Sequence, residues 1–344
     1  MHFFITGGAG FIGCNLAAHH LQQGNTVTVF DNLSRLGTQH NLAWLRQNFS
    51  DINLKFVQGD IRDFETLLLA VSNAQPTLLY HLAGQVAVTT SVQNPREDFE
   101  INALGTFNVL EAARMQNTPP AVFYASTNKV YGGMEDIVTT LEGNRYIYRD
   151  YPTGISEQQP LDFHSPYGCS KGSGDQYVRD YARIYNLKTV VFRQSCIYGE
   201  RQFGVTDQGW VAHFIIAAIT GKPITIYGDG KQVRDLLYVQ DLIQAYEAAY
   251  IHLDKAAGQA INVGGGAINA LSIWSEFSQI LEEFAGHPIN VTWKDWRPGD
   301  QPVFISDNTK AQRLIGWQPS TNVRTGLKHL WNWALKNQSL FMTV

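Results

Sequence analysis

Cysteine is scarce in this sequence: three residues in 344, Cys14, Cys169 and Cys196, odd in number and far apart. That excludes a disulfide framework or a cysteine-built metal knuckle and suits a reducing compartment. The ten histidines fall into no HExxH or comparable ligand spacing, so no metal is expected. Lysine and arginine form no basic run and the formal net charge is −4, which argues against nucleic acid as a partner. No apolar stretch approaches the length of a membrane span. No internal repeat or low-complexity tract is visible. The first strand pattern begins at residue 2, which leaves no room for a signal peptide, so a cytoplasmic protein is expected.

The hydrophobic fraction of 44% is ordinary for a globular chain and ample for a core. The length favours one large domain with a smaller one. The most informative segment is Thr6-Gly7-Gly8-Ala9-Gly10-Phe11-Ile12-Gly13, directly after the apolar Phe3-Phe4-Ile5 and directly before a helical pattern. A strand feeds a tight turn, the turn feeds a helix, and the free N–H groups of that helix point at whatever lies above them. Gly7 permits the turn, Gly10 lets a pyrophosphate approach the backbone, and Gly13 lets the helix pack closely. A second strand, Thr26–Phe30, ends at Asp31, where a carboxylate would accept hydrogen bonds from an adenosine ribose. This context marks a dinucleotide site rather than a merely structural turn. Asp31 would repel a 2′-phosphate and points to NAD, while Arg35 nearby argues the other way.

Strands and helical patterns alternate through the first half: Leu54–Val57, a helix near Phe64–Ser72, Leu78–Leu82, a helix from about Glu97 to Met115, then Ala121–Ala125. Such alternation predicts an α/β fold, a doubly wound parallel sheet of Rossmann type with ligands at the carboxyl ends of its strands. Residues 133–164 are polar and aromatic with little periodicity, either an insertion above the site or an ordinary surface loop. Helical periodicity resumes from Pro166 to Tyr185, followed by a strand over Thr189–Arg193. Beyond Tyr198 the pattern is less regular. We therefore expect residues 1–195 to form the dinucleotide-binding domain and 196–344 a smaller, mainly substrate-binding lobe with segments returning to the first.

Tyr167 and Lys171 stand four residues apart on the helix opened by Ser165-Pro166, with proline suited to the first helical position. That spacing puts both side chains on one face. A nearby ammonium favours tyrosinate and should lower the phenol from about 10 towards neutrality. A tyrosine so tuned removes the proton from a substrate hydroxyl while hydride leaves the same carbon. A second Tyr-x-x-x-Lys, at Tyr227 and Lys231, lies in a turn sequence and is assigned to structure or a substrate loop. Ser126-Thr127 follows the strand Ala121–Ala125, so Thr127 either hydrogen-bonds the reacting oxygen or simply caps the strand.

These residues, in this order, resemble the extended short-chain dehydrogenase/reductase family, and within it the nucleotide-sugar epimerases and dehydratases. The resemblance spans nearly the whole chain and includes Gly7-x-x-Gly10-x-x-Gly13, Asp31-Asn32, Asp60-Ile61, His81-Leu82-Ala83-Gly84, Asn102, Ser126-Thr127 with Val130-Tyr131-Gly132, and Tyr167-x-x-x-Lys171. Arg234-Asp235, Asp241 and Arg297-Pro298-Gly299-Asp300 follow. The stretches around Gln85-Val86-Ala87, Asn128-Lys129, Leu161–Gly172, Arg201-Gln202-Phe203 and Asp207–Val211 are most similar to the branch that inverts C2 of a CDP-sugar. Gln194-Ser195-Cys196-Ile197 differs from that branch where it borders the sugar, which leaves the hexose open.

The resemblance implies tightly held NAD, with contacts from Gly7, Gly10, Phe11, Ile12 and Gly13, from Asp31, Asn32, Ser34 and Arg35, and from Asp60, Ile61, Leu82, Ala83, Gly84, Gln85 and Asn102. It gives catalysis to Tyr167, Lys171 and Thr127, with Lys171 serving the nicotinamide ribose as well as the tyrosine. Substrate contacts are implied for Gln85, Thr127, Asn128, Gln194, Ser195, Gln208, Gly209, Trp210, Val211, Arg234 and Arg297. The two guanidinium groups suit a diphosphate, or else form surface ion pairs. The dehydratase branch carries an Asp-Glu pair directly after the active-site threonine; Asn128-Lys129 supplies no carboxylic acid, which disfavours water elimination. The expected activity is NAD-dependent epimerisation at C2 of a nucleoside-diphosphate sugar. A UDP-sugar 4-epimerase is the alternative within the family, and a non-catalytic NAD sensor the alternative outside enzymes. The family also implies a homodimer or homotetramer paired through the helices near Glu97–Met115 and Pro166–Tyr185.

Overall fold

The computed structural model describes residues 1–297 and 300–342; Pro298 and Gly299 of the late arginine motif, with Thr343 and Val344, lie outside the described residues. The chain forms two compact units, one from residues 1–130, 163–193 and 246–261, the other from 131–162, 194–245 and 262 onwards.

In the first unit β1 (His2–Thr6), β2 (Thr26–Asp31), β3 (Leu54–Gln58), β4 (Leu78–His81) and β5 (Ala121–Thr127) lie in one seven-stranded sheet with the strands Thr189–Gln194 and Gln259–Val263. From one edge the order runs β3, β2, β1, β4, β5, Thr189–Gln194, Gln259–Val263. β1 pairs in parallel with both β2 and β4, with Phe3 opposite Val27 and Leu78. The strands read as continuous apolar runs because helices cover both faces. On one face α3 (Phe64–Ala74), α6 (Gly105–Arg114) and α7 (Ser165–Tyr185) contribute to a core containing Phe4, Phe30, Leu67, Val71, Leu79, Val109, Leu110 and Val178. The other face receives α1 (Phe11–Gln22) and a ring cluster in which Tyr246 meets Tyr80, Phe123 and Phe192 at 5.6, 6.4 and 4.7 Å. A side chain at Gly174 of α7 would press on the hydroxyl of Tyr124, so glycine there lets α7 lie close against β5.

The helix read as one span near Glu97–Met115 is a composite. α4 (Val88–Gln93) and α5 (Pro95–Phe99) precede a π-helical turn over Glu100–Leu104, which leads into α6. Asn94 caps α5 by accepting from Glu97 N, with Pro95 in the first turn. α2 (Thr38–Asn48), which the sequence reading did not mark, completes the helices around the first three strands.

The second unit is built on the strand Val233–Tyr238, parallel to Cys196–Tyr198 and Val303–Phe304 and antiparallel to Ala270–Ser272. A separate parallel pair joins Ile224–Tyr227 to Val291–Lys294. Of residues 133–164, read as an insertion or a loop, all but Phe163 and His164 belong to this unit, whose segment 131–162 contains the hairpin Thr139–Glu142 with Arg145–Tyr148. The helix Trp210–Thr220 packs there with Trp274 and Phe277.

Candidate active site

β1 delivers the chain into the glycine loop with Gly7 at φ +68°, where its N–H donates to Phe30 O at 2.8 Å. A Cβ on Gly7 would stand 2.7 Å from Ala83 N, so glycine answers both the left-handed backbone and the close approach of the β4 exit loop. Gly10 begins α1 with no capping side chain and no acidic residue in its first turn. The orphan N–H groups and the positive end of the helix dipole are thus left to an anion. The donor set fits a dinucleotide pyrophosphate, with Phe11 and Ile12 in the first turn and Gly13 packed against the loop.

Asp31 ends β2, where Oδ2 accepts from Ala9 N at 3.0 Å and Oδ1 from Leu33 N at 2.8 Å. Burial pushes its carboxyl up against these hydrogen bonds and the charge of Arg35. Arg35, exposed, acts electrostatically on both Asp31 and Tyr167. Asn32 donates to Asp60 Oδ2 at 2.9 Å and accepts from Ser34 N at 3.0 Å. Arg62 grips both Asp60 oxygens and holds that carboxyl down at about 2, beside the buried Ile61. Leu82 N and Ala83 N donate to the backbone oxygen and hydroxyl of Thr6 at 3.1 and 3.3 Å. Past Gly84, Asn102 clamps Gln85 through its N and O, both at 3.0 Å. Asn102 sits in the π turn, a local widening that often marks functional positions.

The first unit brings Thr127, Tyr167 and Lys171 together. Ser165, at φ +67° ahead of Pro166, holds strained backbone at the start of α7, and its hydroxyl accepts from Gly168 N at 3.2 Å. Tyr167, one turn before Lys171, is 8% exposed and Lys171 is 5%. Thr127 lies within β5, not beyond it; its hydroxyl donates to Asn128 Oδ1 at 3.4 Å, accepts from Lys129 N at 3.2 Å, and acts on the Tyr167 phenol in the direction that favours its ionisation. Asn128 follows in a short 3-10 turn. Lys171 Nζ lies over the Tyr124 ring, 4.2 Å from its centroid.

The electrostatics differ from the sequence expectation. Burial pushes the Tyr167 phenol up to about 12, with Asp98 adding to the rise and Thr127 and Arg35 opposing it. Burial pushes Lys171 down to about 7, opposed by the carboxylates of Asp175 and Asp98. The expected descent of the phenol towards neutrality is not present, because desolvation of both groups outweighs the charges around them.

Two carboxylates of this cluster escaped the sequence reading. Asp175 continues the Tyr167, Lys171 spacing by one more turn of α7, a signal that was available. It is fully buried, takes two bonds from Arg193 at 2.9 and 3.0 Å, and accepts from Ser126 Oγ at 2.9 Å. Asp98 on α5 had no periodic signal; it accepts from Ser170 Oγ at 2.5 Å and from Asn102 Nδ2 at 3.1 Å.

The remaining candidates belong to the second unit. Gln194 ends its strand buried, and the hydroxyl of Ser195 donates to the buried Asp235. Gln208 closes a tight bridge with Val205, and Gly209, at φ +71°, precedes the helix beginning at Trp210. Trp210 meets Phe277 edge-on with centroids 5.0 Å apart, and Val211 is buried. Each arginine has an acidic partner, Arg234 with Asp300 at 2.6 Å and Arg297 with Asp207 at 2.9 Å. Arg297 also lies 4.0 Å over the ring of Tyr227, beside a cleft of about 620 Å³ lined by Tyr227, Trp293, Lys294 and Asp295. Tyr227 ends a strand and Lys231 follows in a turn, so this second pair shares no helix face.

A family profile described as GDP-mannose 4,6 dehydratase matches residues 4–330. The chain belongs to the extended short-chain dehydrogenase/reductase family of nucleotide-sugar epimerases and dehydratases. Within that family it is 46% identical over 338 residues to a CDP-paratose 2-epimerase of Salmonella typhi, covering 97% of this chain and 99% of the relative. The UDP-glucose 4-epimerase of Thermus thermophilus, solved in complex with NAD, superposes with a TM-score of 0.79 at 30% identity, covering 98% and 99% of the two chains. The UDP-glucuronic acid 4-epimerase of Bacillus cereus, solved with UDP-glucuronic acid and NAD, superposes with a TM-score of 0.81 at 26% identity, covering 98% and 99%. Among the described residues no helix is long and apolar enough to cross a membrane.

Proposed function

We propose that this chain is an NAD-dependent epimerase that inverts C2 of a CDP-sugar, of the CDP-paratose to CDP-tyvelose kind, in the cytoplasm. The observation that carries the reading is a buried Tyr167 one helical turn from a buried Lys171, with Thr127 acting on the phenol, in the same unit as a glycine loop whose helix is left uncapped. The residues of that loop, with Asp31, Asn32, Asp60 and Asn102, hold the cofactor. When bound, NAD would supply the two-electron acceptor and donor for hydride at the sugar carbon.

The chain's own residues manage the proton and the alignment. Tyr167 Oη accepts the proton of the sugar hydroxyl as the carbonyl forms and gives it back when the carbonyl is reduced, so the cycle is an isomerisation with no second substrate consumed. Thr127 Oγ orients the same oxygen. Tyr167 accepts that proton as the tyrosinate, and Lys171 supplies the positive charge that favours this form. Asn128 and Lys129 offer no carboxylic acid to expel water, which favours epimerisation over dehydration. Arg234 and Arg297 are the proposed diphosphate ligands, exchanging a carboxylate partner for phosphate oxygens. The 46% relative favours C2 over C4.

The test is a panel of CDP-, UDP-, GDP- and dTDP-sugars with product stereochemistry read by NMR. A CDP-sugar inverted at C2 is expected, with deuterium at C2 retained in the product and slowing turnover. Inversion at C4, with the isotope effect at C4, would make the chain a 4-epimerase. We also propose a homodimer or a dimer of dimers. Phe99, Phe107, Tyr177 and Tyr185 are 57%, 38%, 49% and 51% exposed, and the Phe107 and Tyr177 rings meet edge-on at 6.0 Å. A fully active monomer at micromolar concentration in light scattering would rule this out.

A further inference from the structure

Asp98 is 1% exposed and its hydrogen bonds come from neutral donors, Ser170 Oγ at 2.5 Å and Asn102 Nδ2 at 3.1 Å, the latter also reaching Ser170 Oγ at 3.2 Å. A carboxylate buried on neutral donors is costly to keep ionised unless a positive charge lies close by. Ser170 is the residue before Lys171. The same asparagine marks the neighbourhood: a Cβ placed on Gly84 would stand 2.9 Å from Asn102 Oδ1 and 3.8 Å from Lys171 Nζ. The other carboxylate acting on Lys171, Asp175, is already committed to both bonds from Arg193 and one from Ser126.

We propose that Asp98 is a positioning residue of the proton-transfer site, a counter-charge fixed by Ser170 and Asn102 that keeps Lys171 an ammonium and thereby sets the pH range in which Tyr167 exchanges its proton. The proposal rests on the reading of Tyr167 and Lys171 as the reacting pair. Lys171 is faced by the Tyr124 ring from β5, His81 from β4, Asp98 from α5, and Asp175 from its own helix, which also carries Tyr167 one turn earlier, with Arg193 reaching the cluster through Asp175. His81 does not titrate near neutrality, since burial and the Lys171 charge push it down to about 3. Lys171 itself, near 7, titrates where a counter-charge decides its state. Asp98 raises both Lys171 and Tyr167. Removing its charge therefore makes the lysine lose its proton, and the phenol ionise, at lower pH, so the active window moves to lower pH as a whole.

Asp98→Asn is nearly isosteric, and its amide can accept from Asn102 and donate to Ser170. Protein labelled with carbon-13 at the lysine ε position, with the Lys171 resonance assigned by its loss in Lys171→Met, reports that ionisation without any turnover. We expect the Lys171 midpoint to fall by about one pH unit in Asp98→Asn, with the pH profile of epimerisation moving the same way, and Asp98→Glu to restore both. Asp98→Ser is the second variant should the asparagine form fail to fold. An unmoved Lys171 midpoint in a folded variant overturns the proposal. So does a uniform loss of activity with no displacement of the profile, which would make Asp98 merely structural. A displaced midpoint in a protein that turns over no nucleotide sugar would uphold the role of Asp98 and overturn the epimerase reading instead.

Discussion

The charged groups of the two units that are read as functional are held in opposite ways. In the first, charges are buried and held in place: Asp175 and Arg193 are 0% and 3% exposed in a bidentate pair, Asp98 sits on neutral donors, and Lys171 is pressed towards neutrality. In the second, the two arginines read as anion ligands keep some solvent and a single acidic partner each, with side-chain exposures of 14% and 25% for Arg234 and Asp300, and 28% and 44% for Arg297 and Asp207. Desolvation against fixed partners brings the two charge states of Lys171 close in energy near neutral pH, while it favours the neutral phenol at Tyr167. Anion binding needs partners that can be exchanged, which partly solvated pairs allow.

The sharpest way to break this contrast is Tyr167→Phe. Turnover should fall by about a hundredfold to ten-thousandfold, the range for a lost general base, while folding and cofactor retention persist. Tyr227→Phe, the other Tyr-x-x-x-Lys, should lose far less; near-normal turnover by the Tyr167 variant would sink the mechanism. A second comparison concerns stability. Asp175→Asn strands a buried guanidinium and should cost about 3–5 kcal/mol, whereas Asp207→Asn, which removes a partly exposed partner, should cost about 0–1 kcal/mol. Denaturant titration of the two variants decides it, and equal losses would erase the distinction between the units. The smallest effect is expected of Arg234→Met, which should raise KM for the nucleotide sugar by about tenfold and leave kcat within about twofold, as for a contact made equally in ground and transition states. A fall in kcat at unchanged KM would remove Arg234 from binding and place it in catalysis.

The glycine loop, Asp31 at the end of β2, the alternation that makes a parallel sheet, and the Tyr167/Lys171 pair on one helix face were all legible, because each is a local pattern of turn chemistry, hydrophobic runs or helical spacing. Thr127 was recognised as a hydroxyl at the ligand-bearing end of β5, though the strand runs on through it. Helix α2 went unmarked, and the helix near Glu97–Met115 concealed a π turn, since neither has a strong periodic signature. Residues 133–164 could be read as loop or insertion, and only packing assigned all but the last two of them to the second unit.

By itself the sequence determined which side chains could do chemistry and, through strand and helix spacing, which of them would share a face. It did not determine their charge states. The phenol of Tyr167 stands high instead of low, Asp98 and Asp175 converge on Lys171 from two helices, and Arg193 arrives from a strand eighteen residues beyond Asp175. Burial and the approach of charges distant in sequence set proton affinity, and both come into being only when sheet and helices close around the site.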